Sequence, residues 1–172
     1  MSVKRKLIKI NTLHQEPFLL GGGHRSRAVM MNNFSETDPF ILFMDDVFEK
    51  KNKQHVDGLH PYAGFETATL LLQGESGYGV NKMLPGDFEL MTAGSGIIHS
   101  ETIDTIATRR ILQLRLTLPK QQRWMAPHIQ NLSIERVPKK YKSGIHIKVY
   151  SGSFADLVSP VQNNIPPYCC RY

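Results

Sequence analysis

Cysteine is scarce: the chain holds only Cys169 and Cys170, and they are adjacent. Neighbouring cysteines close a strained ring poorly, so they offer no structural disulfide. A chain of 172 residues buries enough core to fold without a disulfide or a structural metal. Long apolar runs are also missing. None approaches the ~20 residues of a spanning helix, which excludes a helical membrane protein. The opening MSVKRKLIKI is basic but has neither the apolar stretch nor the small-residue cleavage site of a secretory signal. The chain reads as cytoplasmic. No GxGxxG or P-loop lysine follows Gly21-Gly22-Gly23, so that loop is no phosphate cradle. Charge of one sign is not concentrated either. The net charge of +6 is spread over Lys4 to Lys9, Lys50 to Lys53, Arg109, Arg110 and Arg136 to Lys142. Scattered charge is a solvated surface. With no zinc-finger spacing and no RNP-like aromatic motif, a nucleic-acid partner is not expected.

The sequence does carry punctuation and alternation. Its 13 glycines and 10 prolines are dispersed as turn signals rather than gathered into a linker. Between them lie strand-like segments. Leu112, Leu114, Leu116 and Leu118 alternate with polar residues, a period of two that turns one face to a core and the other to water. Ile145, Ile147 and Val149 alternate with His146 and Lys148 in the same way. Thr67 to Leu72 is a β-branched and apolar run, and Pro85-Gly86-Asp87 is a turn leading into a short strand from Phe88 to Met91. No segment reads as a long capped amphipathic helix. The stretch from Pro119 to Gly144 reads as an extended connection, in which Trp124 and Met125 anchor it on the protein or on a partner. Short strands with turns between them predict an all-β sandwich or barrel.

Metal-ligand residue types concentrate in Gly58 to Thr67 and in Thr92 to Glu101. His60 and Tyr62 are two apart, and so are His99 and Glu101. In extended chain, each pair points to one face. Two antiparallel strands presenting such pairs inward would gather four donors around one point. Glu101 in an apolar interior needs a partner, which a metal would supply. Glu66 reads as a structural carboxylate near the site. His55 is not expected to be a ligand, and His24 and His128 read as surface residues.

The segments HPYAGFETATLLLQGE, PGDFELMTAGSGIIHSE and LQLRLTLPK resemble the pirin family, the bicupin family that includes bacterial quercetin 2,3-dioxygenase-like proteins. The family text is close to HPHRGFET…LEGE, PGD…MTAG.GI.HSE and LQLWVNLPK. The resemblance spans roughly residues 17 to 161. It implies a single jelly-roll-like cupin β-barrel over residues 1–118 and a C-terminal extension over 119–172, leading toward a second cupin. It also implies one metal, usually iron, held by three histidines and a glutamate. Carried over, His60 is the first histidine, and His99 and Glu101 are the third histidine and the glutamate. Glu101 would serve as ligand and base.

Two departures shape the functional expectation. Tyr62 stands at the second histidine, and Ala63 replaces the arginine that usually follows it. The remaining two-histidine, one-carboxylate set is that of non-haem iron sites with open positions. Tyr62 then either opens a coordination position, binds as a phenolate, or fills the metal's volume with its hydroxyl bonded to Glu101 or a histidine. The other departure is length: the resemblance runs only into the start of a second cupin. The expectation is a pirin-like cupin with a degenerate metal site and reduced or absent dioxygenase activity, acting as a binding or regulatory protein. An active enzyme opening a flavonol-like ring with iron is the competing expectation. A homodimer, or a protein partner, would cover the surface that a second cupin normally covers.

Overall fold

The computed structural model describes residues 13–17, 23–31, 34–51, 59–77, 82–100 and 107–165. Glu101, His55, Cys169 and Cys170 lie outside them. The described residues are built almost entirely of strands, as the alternation predicts. A seven-stranded antiparallel sheet contains β1 (Glu16–Pro17), β2 (His24–Met31), β3 (Phe40–Glu49), β5 (Phe65–Gln73), β6 (Phe88–Thr92), β8 (Thr108–Thr117) and β9 (His128–Leu132), in the order β1-β2-β3-β8-β5-β6-β9. β4 (His60–Tyr62) and β7 (Ile97–His99) form a separate two-stranded sheet. Beyond β9 come two hairpins, β10 (Lys139–Lys142) with β11 (Ile145–Lys148) and β12 (Ser153–Phe154) with β13 (Leu157–Val158). Among the described residues, helix is confined to single turns, α1 (Phe34–Thr37) and a 3-10 turn at Lys120–Gln122. No helix among the described residues is long and apolar enough to cross a membrane. This is the all-β, cupin-like architecture that the sequence implies.

The register divides the main sheet into two unlike faces. Phe48, Leu71, Met83 and Ile111 form an apolar cluster on the inner face. Further along that face, Thr67 pairs with both Arg115 and Met91, and Met91 packs with Tyr62 and Ala93 against Phe65 and Ile97. β4 and β7 therefore lie over the inner face. The outer face carries Ala68, Leu70, Phe88 and Leu90. The C-terminal segment covers it with Val137, Val161, Ile134 and Tyr150. Each large side chain fully buried there contributes about 1.5–3 kcal/mol.

β8 meets the expectation drawn from its alternation only in part: of the four leucines, Leu118, just past its end, is fully buried. Its leucine face was expected to point into the core. Leu112, Leu114 and Leu116 are only half-buried, on the outer face beside Leu70 and Ala68. The buried face is the mixed one, with Arg109, Ile111 and Gln113. The interior tolerates these polar groups because they are paired. The Arg109 guanidinium lies 4.5 Å over the Phe48 ring and donates to Ser76 Oγ at 3.0 Å. In β11 the expected inward residue Ile145 is 62% exposed; β10 and β11 pair only with each other, as a separate two-stranded sheet.

The turn signals hold. Asp87 accepts from the Leu84 and Ile134 amides at 2.8 and 2.7 Å, tying the turn before β6 to the segment after β9. Gly86 sits at φ +94°, where a Cβ would meet Ile134 at 2.9 Å, so the turn requires glycine.

Candidate functional site

The two short motif strands bring the candidate donors together. β4 and β7 pair antiparallel, with His60 opposite His99 and Tyr62 opposite Ile97. Alternation sends Pro61 and Ile98 outward, and Ile98 is 63% exposed. His60 and Tyr62 face the main sheet together. The ring centroids lie 4.8 Å apart for His60–Tyr62, 5.5 Å for His60–His99 and 5.5 Å for Tyr62–His99. Three aromatic rings thus meet in one cluster, Tyr62 being the most buried at 7% exposure.

The floor of the cluster comes from β8. Arg115 donates a hydrogen bond to the Tyr62 hydroxyl, lies 4.6 Å from that ring's centroid, and donates to Gln113 Oε1 at 2.9 Å. Phe65 completes the packing, 5.0 Å from Tyr62. Reasoning from single residues passes over Arg115, although a signal for it exists. In LQLRLTLPK the arginine stands where the family text LQLWVNLPK has tryptophan. Two departures far apart in the chain therefore touch each other.

This cluster fits a cation poorly. A guanidinium carries a permanent positive charge, and two unit charges ~4 Å apart interact by about 4 kcal/mol at an effective dielectric near 20. Arg115 thus opposes a divalent ion beside Tyr62 and uses the phenol oxygen as its own acceptor. Among the described residues no group of three or more His, Cys, Asp or Glu converges as a metal cage. Glu101, the remaining candidate ligand, lies outside those residues.

The other candidates have different places. Glu66 is buried at 2% exposure but points to the outer face. It accepts from Thr92 Oγ1 and Asn164 Nδ2, each at 2.7 Å, so it is a structural carboxylate that clasps the C-terminal segment. His24, expected at the surface, is buried. Its Nε2 lies 2.8 Å from Asp46 Oδ1, and its ring stacks on Phe48 at 4.3 Å. The inward alternation of β2 places it there. His128 is half-buried on β9, with Nδ1 3.4 Å from the Ala126 carbonyl. Trp124 does not anchor the connection on the protein's own sheet, being 81% exposed. Met125 does so instead, its carbonyl accepting the Ser95 amide at 2.9 Å.

Comparison with known proteins places this geometry. The family model described as Pirin matches residues 22–116, more than half of the chain. Pirin of Mus musculus is 34% identical over 168 residues, covering 94% of this chain and 57% of that protein. The chain therefore spans little more than half the length of such curated relatives. Among solved structures, GK1651 from Geobacillus kaustophilus matches with a TM-score of 0.76 at 32% identity, over 91% of this chain and 63% of that one. A quercetin 2,3-dioxygenase from Acinetobacter baumannii matches with a TM-score of 0.71 at 25% identity, over 89% and 58%.

Proposed function

The chain belongs to the pirin family, and from that premise we propose that it is a pirin with a weakened metal site and reduced or absent dioxygenase activity, acting as a binding or regulatory protein. The contact between Arg115 and Tyr62 carries this reading. A position that serves as an imidazole ligand in the family is a phenol here, and its oxygen is engaged by a cation. His60 and His99 remain opposed across two strands, while the guanidinium beside Tyr62 turns the electrostatics of the cluster against a metal.

The competing reading is a quercetin 2,3-dioxygenase-like enzyme. The paired histidines and the likeness to the Acinetobacter baumannii dioxygenase favour it. In that case iron would bind through His60 and His99 with Glu101, supplying activation of oxygen and substrate. This chain's residues would orient a flavonol and exclude water.

One experiment separates the two. Metal content and oxygen consumption with quercetin are measured after loading with iron or manganese, beside the double variant Tyr62→His, Arg115→Trp. Low metal and no turnover in the native protein, with uptake restored in the variant, supports the weakened site. Full occupancy with turnover in the native protein sinks it.

A partner surface fits the same reading. Tyr141, Ile145, Phe154 and Val158 on the two C-terminal hairpins are each more than 60% exposed, and exposed apolar groups of this kind mark interfaces. The proposed occupant is a second copy of the chain, giving a homodimer. Sedimentation of the native protein and of the pair Ile145→Glu, Val158→Glu checks it: a native monomer removes the dimer.

A further inference from the structure

A cavity lies at the rim of the main sheet. It has a volume of about 510 Å³, and its walls include Ala63, Phe65, Gly94, Lys120, Arg123 and Trp124. None of His60, Tyr62 or His99 lines it. That volume lies in the range of small-molecule sites, roughly 300–1,000 Å³.

The lining has a specific chemistry. Lys120 and Arg123 bring two positive charges. Among the described residues neither has a carboxylate partner. The Arg123 Nε–H donates to the Leu118 carbonyl at 3.0 Å, which holds the guanidinium plane while leaving its two terminal nitrogens for a ligand. The arginine stem passes over Gly64, where a Cβ would stand 4.0 Å from Cδ. Apolar surface comes from Phe65 and from Trp124, which is 81% exposed. A tryptophan this exposed leaves a large apolar ring in water.

The backbone argues against a phosphate cradle. Cradles of that type are made from several free amides turned to one point. Here the rim amides are spent within the fold. Gly64 N–H donates to the Gly94 carbonyl at 2.8 Å, Ser95 N–H to Met125 at 2.9 Å, and Thr117 N–H to Pro39 at 2.8 Å. Recognition of an anion therefore rests on two side chains, one of them the planar fork that suits a carboxylate.

We propose that this rim cavity binds a small aromatic carboxylate, its carboxylate held by Arg123 and Lys120 and its ring packed against Trp124 and Phe65. The site is independent of any metal. Ala63 belongs to it: where the family text has arginine, this chain leaves open space beside two cations.

Trp124 is the chain's single tryptophan, so one indole N–H cross-peak in a nitrogen–proton correlation spectrum reports on this cavity alone. Benzoate is titrated against that peak with and without chelator, with benzamide and inorganic phosphate as comparison ligands. The expected result is a saturable shift with benzoate and affinity at least about tenfold weaker for benzamide. Arg123→Gln should weaken benzoate by a similar factor. Ala63→Arg, which fills the space with a third cation, should abolish the shift. All these positions except Phe65 and Gly94 are exposed, and the remaining cross-peaks of each variant show that it is folded. Equal affinity for benzoate and benzamide, unchanged binding in both variants, tighter binding of phosphate, or a shift that vanishes in chelator each overturns the proposal.

Discussion

Arg115 and Tyr62 lie 53 residues apart in the chain and share a hydrogen bond, with the guanidinium also 4.6 Å from the phenol ring. Each occupies a position where the family text has a different side chain, histidine for Tyr62 and tryptophan for Arg115. The guanidinium needs an acceptor inside a half-buried pocket, and the phenol provides one that an imidazole bound to a metal would not. The two changes are therefore physically coupled: each makes the other tolerable.

Removing the hydroxyl alone should expose that dependence. Tyr62→Phe leaves the ring packing with Met91 and Phe65 intact but takes an acceptor from Arg115. A loss of about 1–2 kcal/mol is expected, read as a lower denaturant midpoint with an unchanged slope. The combined change Tyr62→Phe, Arg115→Trp should lose less than the sum of the two single variants.

The clasp at Glu66 makes a second prediction. Its carboxylate accepts from Thr92 and Asn164, residues on a neighbouring strand and in the C-terminal segment. Asn164→Ala should cost roughly 1–2 kcal/mol, since it leaves a 2%-exposed carboxylate with one fewer donor. Amide exchange should rise first around residues 159–165, where Ser159 also bridges the Tyr150 carbonyl and the Val161 amide. Exchange rising evenly over the whole sheet would contradict this clasp.

Acid sensitivity should trace partly to Asp45. Hydrogen bonds from Arg110 at 2.7 and 2.8 Å hold its carboxyl below the usual carboxylate range. Burial opposes this, and the charges of Arg110 and Arg27 reinforce it. A lowered folded-state pKa means that the unfolded chain takes up the proton first. The stabilisation is thus complete above the unfolded value of about 3.9 and is lost as pH falls through the folded value. Asp45→Asn should cost about 1.5 kcal/mol at neutral pH, after discounting for solvent at the partly exposed arginines. It should also flatten the fall in stability below about pH 4, seen in melts across pH.

Gly94 is expected to resist substitution. It sits at φ +50°, and a Cβ there would stand 2.1 Å from the Met125 carbonyl oxygen. Gly94→Ala must displace the 119–125 connection or strain the turn before β7. A loss of roughly 2–4 kcal/mol is expected, with the Trp124 indole resonance moved. Gly144→Ala is the comparison, since it shares a positive φ but meets nothing within 4 Å; it should cost about 1 kcal/mol.

The candidate cluster was legible in the sequence as far as local spacing reaches. His60 and Tyr62, two residues apart, share a face because strands have a period of two. Their opposition to the strand bearing His99 follows from two short motifs pairing antiparallel. Arg115 was visible only as a departure within LQLRLTLPK, and nothing local links it to Tyr62. Glu66 was legible as a structural carboxylate. Its partner Asn164 lies 98 residues away, beyond any spacing argument.

By itself the sequence determined an all-β chain, its main strands and turns, and the residue types that meet at β4 and β7. These follow from alternation and turn chemistry, which act over a few residues. Tertiary structure alone decided which face of each strand is the interior. A period of two defines two faces but does not say which one meets the core, so the leucines of β8 lie outward and Gln113 and Arg115 inward. It also decided that a cation enters the donor cluster and that two cations and a tryptophan border one cavity at the rim. Those outcomes depend on contacts between segments far apart in the chain, set by sheet register and packing.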